Sequence, residues 1–246
     1  MALPDWAIYV MVIISSYLVG SFPTGFVLGK LLKNIDIREH GSGNSGFSNV
    51  YRLLGVGPGI ITLVVDIIVK GGVVAWAARL TIHYTVIVTQ PATNFVYTMG
   101  FTEPVPQAMV VVAGLMAVAG HNWSIFLGFK GGKGMATTAG VFINFAPVAV
   151  SGLVIVWLII VFTTRYTSLA NIICTPVVSI FIFLETYFIM GLDLITCIPL
   201  TAGGIVAGLF ILWSHRENIQ RLIAKTERKF GDKSERIQTE EEQISS

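Results

Sequence analysis

Charge is what this chain has least of. Only 12% of its 246 residues are Asp, Glu, Lys or Arg, against about 25% in a soluble domain. With 54% hydrophobic residues and a mean hydropathy of +0.75, it cannot clothe a separate soluble catalytic domain. Cysteine is also scarce. Cys174 and Cys197 both fall in apolar stretches without metal spacing, so they are expected to be small core residues. No Gly-x-Ser-x-Gly elbow is present, which removes the hydrolase-type nucleophile. The polar loops hold few carboxylates and no paired-carboxylate metal motif, so metal-dependent phosphotransfer is disfavoured and neither metal nor cofactor is expected. Lys133 is followed by Gly134, where a Walker A loop needs Ser or Thr.

What the chain does have is long apolar runs. A membrane helix needs about 20 apolar residues, and 6–28, 60–78, 110–127, 169–190 and 194–213 qualify. The first run is too long for a signal peptide and has no basic leader, so it is read as a retained helix. The run 135–164 is interrupted by Pro147; it forms one kinked helix or two shorter ones, 135–146 and 148–164.

Basic residues decide between these. Lys30, Lys33, Arg38 and Arg52 follow the first run, Lys130 and Lys133 the third, and Arg165 the proline-broken one. Seven more, from Arg216 to Arg236, follow the last, so fourteen of the sixteen basic residues sit in these four places. Placing all of them inside puts the N-terminus outside and the C-terminus in the cytoplasm. The broken run must then leave and return on the same side, giving an all-α integral membrane protein of about seven transmembrane segments. Residues 1–230 form a single membrane domain, 81–106 an irregular outer loop, and 231–246 a polar, disordered tail. No nucleic-acid partner is expected.

Polar groups concentrate in three places on that inner face. The first loop, from Asp36 to Arg52, carries Gly41, Gly43 and Gly46 around Ser42 and Asn44. Such a backbone nest presents donors to an oxyanion, with Arg52 as a phosphate clamp; alternatively, its Asn and Ser cap the next helix. Phe129-Lys130-Gly131-Gly132-Lys133-Gly134 reads as a phosphate cradle, in which glycine lets N–H groups approach an anion, or as a basic turn that only orients helices. His121 before it reads as a helix C-terminal cap or a site residue. In the third place, His215 and Asn218 are three apart on one helical face, or belong to a basic tail lying on anionic lipid. Asp66 and Lys70, four apart inside the second run, read as a structural ion pair or as part of an ion pathway. No His is followed four residues later by Asp, so the soluble-type acyl-CoA acyltransferase signature is missing.

In this order the clusters resemble the bacterial acyl-phosphate:glycerol-3-phosphate acyltransferase family. The matching residues run from Asp36-Ile37-Arg38 through Gly41-Ser42-Gly43-Asn44 to Asn49 and Arg52; then Gly120-His121-Asn122 with Phe129 to Gly134; then His215-Arg216-Glu217-Asn218, Arg221 and Glu227. Asp66 with Lys70-Gly71, and Arg165-Tyr166 with Ser168, also match. Lys225 departs, standing where a Gly is usual before Thr226-Glu227. The resemblance implies seven membrane helices in the bacterial cell membrane with the active site on the cytoplasmic face. It implies transfer of a fatty acyl group from acyl phosphate to the 1-hydroxyl of sn-glycerol 3-phosphate. The products are 1-acyl-glycerol 3-phosphate (lysophosphatidic acid) and phosphate, in the first acylation of phospholipid synthesis. A soluble phosphate acyltransferase is implied upstream. Ser42, Arg52, His215 and Asn218 are the expected catalytic residues, with His215 or a substrate phosphate as general base. Gly41, Gly43, Asn44, Asn49, Lys130, Gly131, Gly132, Lys133, Gly134 and Glu227 are the expected substrate-binding residues. The competing class is a membrane transporter or channel for an anionic solute.

Overall fold

The computed structural model describes residues 4–89 and 104–232, and among these it contains helices and no strand. The first apolar run is two helices, α1 (Asp5–Ser21) and α2 (Thr24–Lys33), broken at Phe22 and Pro23. Proline withholds its N–H and drives the preceding residue out of the helical region, and Phe22 accordingly has ψ 121°. A short helix α3 (Phe47–Leu54) carries Asn49 and Arg52. Then α4 (Val56–Val64) passes through a π-helical stretch, Val65–Val73, into α5 (Val74–Thr89). After α6 (Pro104–Asn122) come α7 (Met135–Phe142), α8 (Pro147–Thr164), α9 (Thr167–Leu184), α10 (Leu194–Ser214) and α11 (Arg216–Ile223).

Six helices among the described residues are long and apolar enough to cross a membrane. The seventh expected segment, 135–146, is helical only over the 8 residues of α7, about 12 Å at the usual rise, too short to span alone. It is an interior element, with Thr137, Thr138, Gly140, Val141 and Phe142 buried. The expected outer loop 81–106 is shorter than its prolines and threonines imply. α5 runs to Thr89 and α6 begins at Pro104, a position where a missing N–H costs nothing; 90–103 lie outside the described residues. Of the expected disordered tail, Gly231 and Asp232 are placed and Asp232 is hydrogen-bonded, while 233–246 lie outside the described residues.

The polarity is inverted relative to a soluble fold. Phe162 is 80% exposed and Ile195 66%, whereas Asp66, Lys70, Thr137 and Thr186 are buried. Apolar side chains facing outward and charged ones paired inside, as Asp66 and Lys70 are, are what lipid as solvent requires. Close backbone contact joins α7 to the π-helical stretch. A Cβ on Gly140 would lie 1.9 Å from the Ile67 carbonyl oxygen, and one on Gly71 2.4 Å from that of Thr137. Glu185, buried below α9, accepts from the Val148 and Ala149 N–H groups at 3.1 and 2.6 Å. It thereby satisfies the otherwise unpaired donors at the head of α8.

The basic loops gather at one end of this bundle. Arg38 Nη1 donates to the Leu127 carbonyl at 3.0 Å, Lys133 to Asn218 Oδ1, Arg165 Nη2 to the Phe230 carbonyl at 3.0 Å, and Arg52 Nε to the Asp232 carbonyl at 3.1 Å.

Candidate active site

A cavity of ≈ 330 Å³ lies beneath that end. Ser42, Asn44, Asn49, Arg52, Lys133, Gly134, His215, Asn218 and Glu227 line its polar part, and Phe142, Val150, Leu153 and Val178 its apolar part. All four expected catalytic residues therefore converge, from two segments far apart in the chain.

In the first loop, Asn49 is the strap. Its Oδ1 accepts from Ser42 N–H at 2.9 Å, and its Nδ2 donates to the Ile37 and His40 carbonyls at 2.9 and 3.2 Å. With all these contacts internal, Asn49 positions the loop rather than offering groups to a ligand. Asn44 Oδ1 similarly closes a local turn on Gly46 N–H. Gly41 and Gly43 have φ of 60° and 68°, left-handed values that glycine adopts freely. They shape the loop without lining the cavity. The exposed Ser42 hydroxyl makes no hydrogen bond among the described residues. Arg38, clamped by Asp36 at 2.7 Å, ties this loop to the residues before the Gly-rich turn.

That turn is built differently from the expected cradle. Gly131 N–H donates to the Asn122 carbonyl at 3.0 Å and Gly132 N–H to that of His121 at 2.8 Å. Both donors are thus spent on folding the turn back onto the end of α6. The glycines serve proximity instead: a Cβ on Gly131 would meet His121 O at 2.1 Å, and one on Gly132 His121 Nε2 at 1.9 Å. Lys130 is exposed and, with Gly131 and Gly132, does not line the cavity. The N–H groups open to a ligand lie just beyond, where Gly134 (φ 79°) heads α7. The first N–H groups of a helix have no partner within it, and Gly134, Met135 and Ala136 line the cavity. Lys133 stands beside them. Its burial and the nearby Arg221 guanidinium pull its ammonium from 10.5 down to about 8.

In the third segment, Asn218 accepts from Lys133 and donates to Glu227 Oε1 at 2.6 Å, while Arg221 Nε meets Glu227 Oε2 at 2.7 Å. Burial raises the Glu227 carboxyl, but the hydrogen bonds from Arg221 and Asn218 outweigh it and hold the group below the usual range. Lys225 adopts φ 57°, so the backbone keeps the turn that glycine would serve and Glu227 reaches Asn218. His215 is buried, with Nδ1 2.8 Å from the Ile211 carbonyl and Nε2 3.1 Å from Asn171 Nδ2. The carbonyl requires a proton on Nδ1, and the amide donates to Nε2. Burial and the Lys133 charge drop its pKa to about 4. The ring is therefore neutral with its lone pair engaged, which removes the support for His215 as general base.

Asn171 is the site residue that sequence reasoning missed. Its Oδ1 also accepts from Trp157 Nε1 at 2.6 Å, linking α8, α9 and His215. The available signal was a lone amide inside an apolar run. His121 does not cap α6 with its ring; the ring turns inward to Asp66 and Lys70, whose expected ion pair is present at 2.7 Å.

A family model described as Glycerol-3-phosphate acyltransferase matches residues 10–225. The glycerol-3-phosphate acyltransferase of Alkaliphilus metalliredigens is similar to this chain at 37% identity over 230 residues, 92% of this chain and 98% of that one. The crystal structure of PlsY, an integral membrane glycerol 3-phosphate acyltransferase, in its glycerol 3-phosphate form has a TM-score of 0.69 at 34% identity, covering 91% of this chain and 96% of that one. Its lysophosphatidic acid form gives 0.67 at 31% identity, covering 91% and 95%.

Proposed function

The chain belongs to the glycerol-3-phosphate acyltransferase family, and from that premise we propose that it moves a fatty acyl group from acyl phosphate to the 1-hydroxyl of sn-glycerol 3-phosphate. The observation that carries this reading is one cavity that joins a cationic head, lined by Arg52, Lys133 and Arg221, to an apolar end between membrane helices. The acyl chain lies along Phe142, Val150 and Leu153, and its phosphate meets Lys133 and the head of α7. Arg52, Ser42 and Asn218 hold the glycerol phosphate.

The 1-hydroxyl oxygen attacks the acyl carbonyl carbon and its proton passes to a phosphate oxygen. The tetrahedral oxyanion rests on N–H donors and Lys133. Its collapse breaks the bond from carbon to the bridging oxygen, and phosphate leaves with the electron pair. A substrate phosphate as base fits the engaged, weakly basic His215. His215 instead holds Asn171 and the start of α11 in register. Direct transfer fits Ser42, which has no orienting partner to make it a nucleophile; a trapped acyl-Ser42 ester contradicts that version.

The basic end is assigned to the cytoplasmic face of the bacterial cell membrane, where a soluble phosphate acyltransferase, moving an acyl group onto phosphate, is expected to supply the donor. A transport pathway through Asp66 and Lys70 has no support, because the pair is closed on itself and on His121. Purified protein given glycerol 3-phosphate with either palmitoyl phosphate or palmitoyl-CoA separates the donors. Lysophosphatidate from palmitoyl phosphate alone is expected, and equal product from the thioester contradicts the acyl phosphate assignment.

A further inference from the structure

Asp66, Lys70 and His121 come from two spans and meet in a buried group, exposed by only 1, 4 and 6%. The π-helical stretch Val65–Val73 puts Asp66, Lys70 and Gly71 on its buried face. A wider turn of this kind is a costly irregularity that concentrates at functional sites. Lys70 Nζ lies 2.7 Å from Asp66 Oδ1 and 3.3 Å from His121 Nδ1, while His121 Nδ1 lies 3.6 Å from Asp66. The ammonium carries protons only, so the Nδ1 facing it within hydrogen-bond distance must supply a lone pair. The proton of the neutral ring is then on Nε2. A doubly protonated ring would also carry a proton there. That Nε2 has no hydrogen-bond partner among the described residues. It sits against Gly132, where no Cβ fits, and the ring lines the cavity.

We propose that His121 Nε2–H is a further substrate-binding donor, aimed at the phosphoryl oxygens of the acyl donor, with Lys70 and Asp66 as positioning residues that fix its tautomer. The inference rests on the reading of the cavity head as the donor's phosphate site. It explains why an ion pair is kept inside the bilayer, where each charge is costly. Asp66 neutralises Lys70, Lys70 orients the ring, and the absence of a Cβ on Gly132 lets the ring lie against the turn. The ring's own backbone carbonyl also holds Gly132 N–H, so ring and turn move together.

The test uses full-length protein in detergent with ¹⁵N-labelled histidine, the His121 signals being assigned from a His121→Phe variant. The probe is 2-oxoheptadecylphosphonate, the palmitoyl phosphate analogue with a methylene for the bridging oxygen, and its ³¹P signal reports binding. The expected result is a protonated Nε2 and a bare Nδ1, with the Nε2–H resonance shifting on binding. Probe that binds without moving that resonance, or an unprotonated Nε2, overturns the proposal. Probe that fails to bind overturns the cavity reading itself, and the proposal with it. In turnover, His121→Phe is expected to lower kcat/KM for palmitoyl phosphate about 100-fold, the scale of one oxyanion donor, with KM for glycerol 3-phosphate unchanged. Asp66→Asn with Lys70→Met is expected to match it, and the triple variant to fall no further. A His121→Phe protein with a lower Tm but intact kcat/KM also overturns it.

Discussion

Lys133 is half-buried beside Arg221 and is pulled from 10.5 down to about 8. Below that pH the proposed phosphate site keeps its ammonium; as pH rises through it the charge is lost. Because kcat/KM reports the free enzyme, kcat/KM is expected to fall as pH rises through about 8, and Lys133→Arg to move that limb upward. A profile that stays flat above pH 8 contradicts this. Lys133→Met is expected to cost roughly 100- to 1,000-fold in kcat. His215, with a pKa of about 4, contributes no acidic limb between about pH 5 and 8, and a limb there that disappears in His215→Asn would restore it as the base. Lys225 stands in the left-handed region, which costs an L-residue about 1–2 kcal/mol, partly offset by glycine's larger entropy loss. Lys225→Gly is therefore expected to raise thermal stability by about 0.5–1 kcal/mol with turnover unchanged. At this scale the sequence identified residue types better than roles. Ser42, Arg52, Lys133, His215 and Asn218 do converge. The duties of Asn49, Gly131 and Gly132 were hidden because hydrogen bonds internal to a turn leave no mark on composition or spacing.

At the scale of elements, α7 is the piece on which the proposed site depends, since its head and Lys133 line the polar part of the cavity. It is held by the Gly140 contact with Ile67 on the π-helical stretch. Gly140→Ala is expected to push the two apart and to lower both stability and kcat/KM, whereas Gly57→Ala, at an exposed position with open space around it, is not; a normal Tm in Gly140→Ala would show that the contact is slack. Five of the apolar runs were legible as spans because length and hydropathy suffice. The eight-residue α7 was not, because an apolar run reads the same whether it faces lipid or lies inside a bundle. The π-helical stretch was also invisible, since one residue added to a turn changes neither hydrophobicity nor propensity.

At the scale of the described molecule, large apolar side chains face outward, the buried charges are paired within, and the cationic loops gather at one end. The clustering of basic residues along the sequence anticipated this gathering, because loops that share a membrane side share its charge bias. The contacts of the 226–232 segment were beyond its reach: Phe230 stacks on Tyr51 with centroids 4.7 Å apart, and the Asp232 carbonyl holds Arg52. Cysteines introduced at Lys130 and Trp6 in intact bacterial cells are expected to label from opposite sides, Trp6→Cys from outside; labelling of both from outside contradicts the topology.

The most direct test of the central claim is phosphate release by the purified protein from palmitoyl phosphate, with and without glycerol 3-phosphate. Release that requires both substrates and matches lysophosphatidate mole for mole is the expected result. Release without glycerol 3-phosphate, or no release from folded protein that binds both, would contradict acyl transfer between two phosphate-anchored substrates in one cavity.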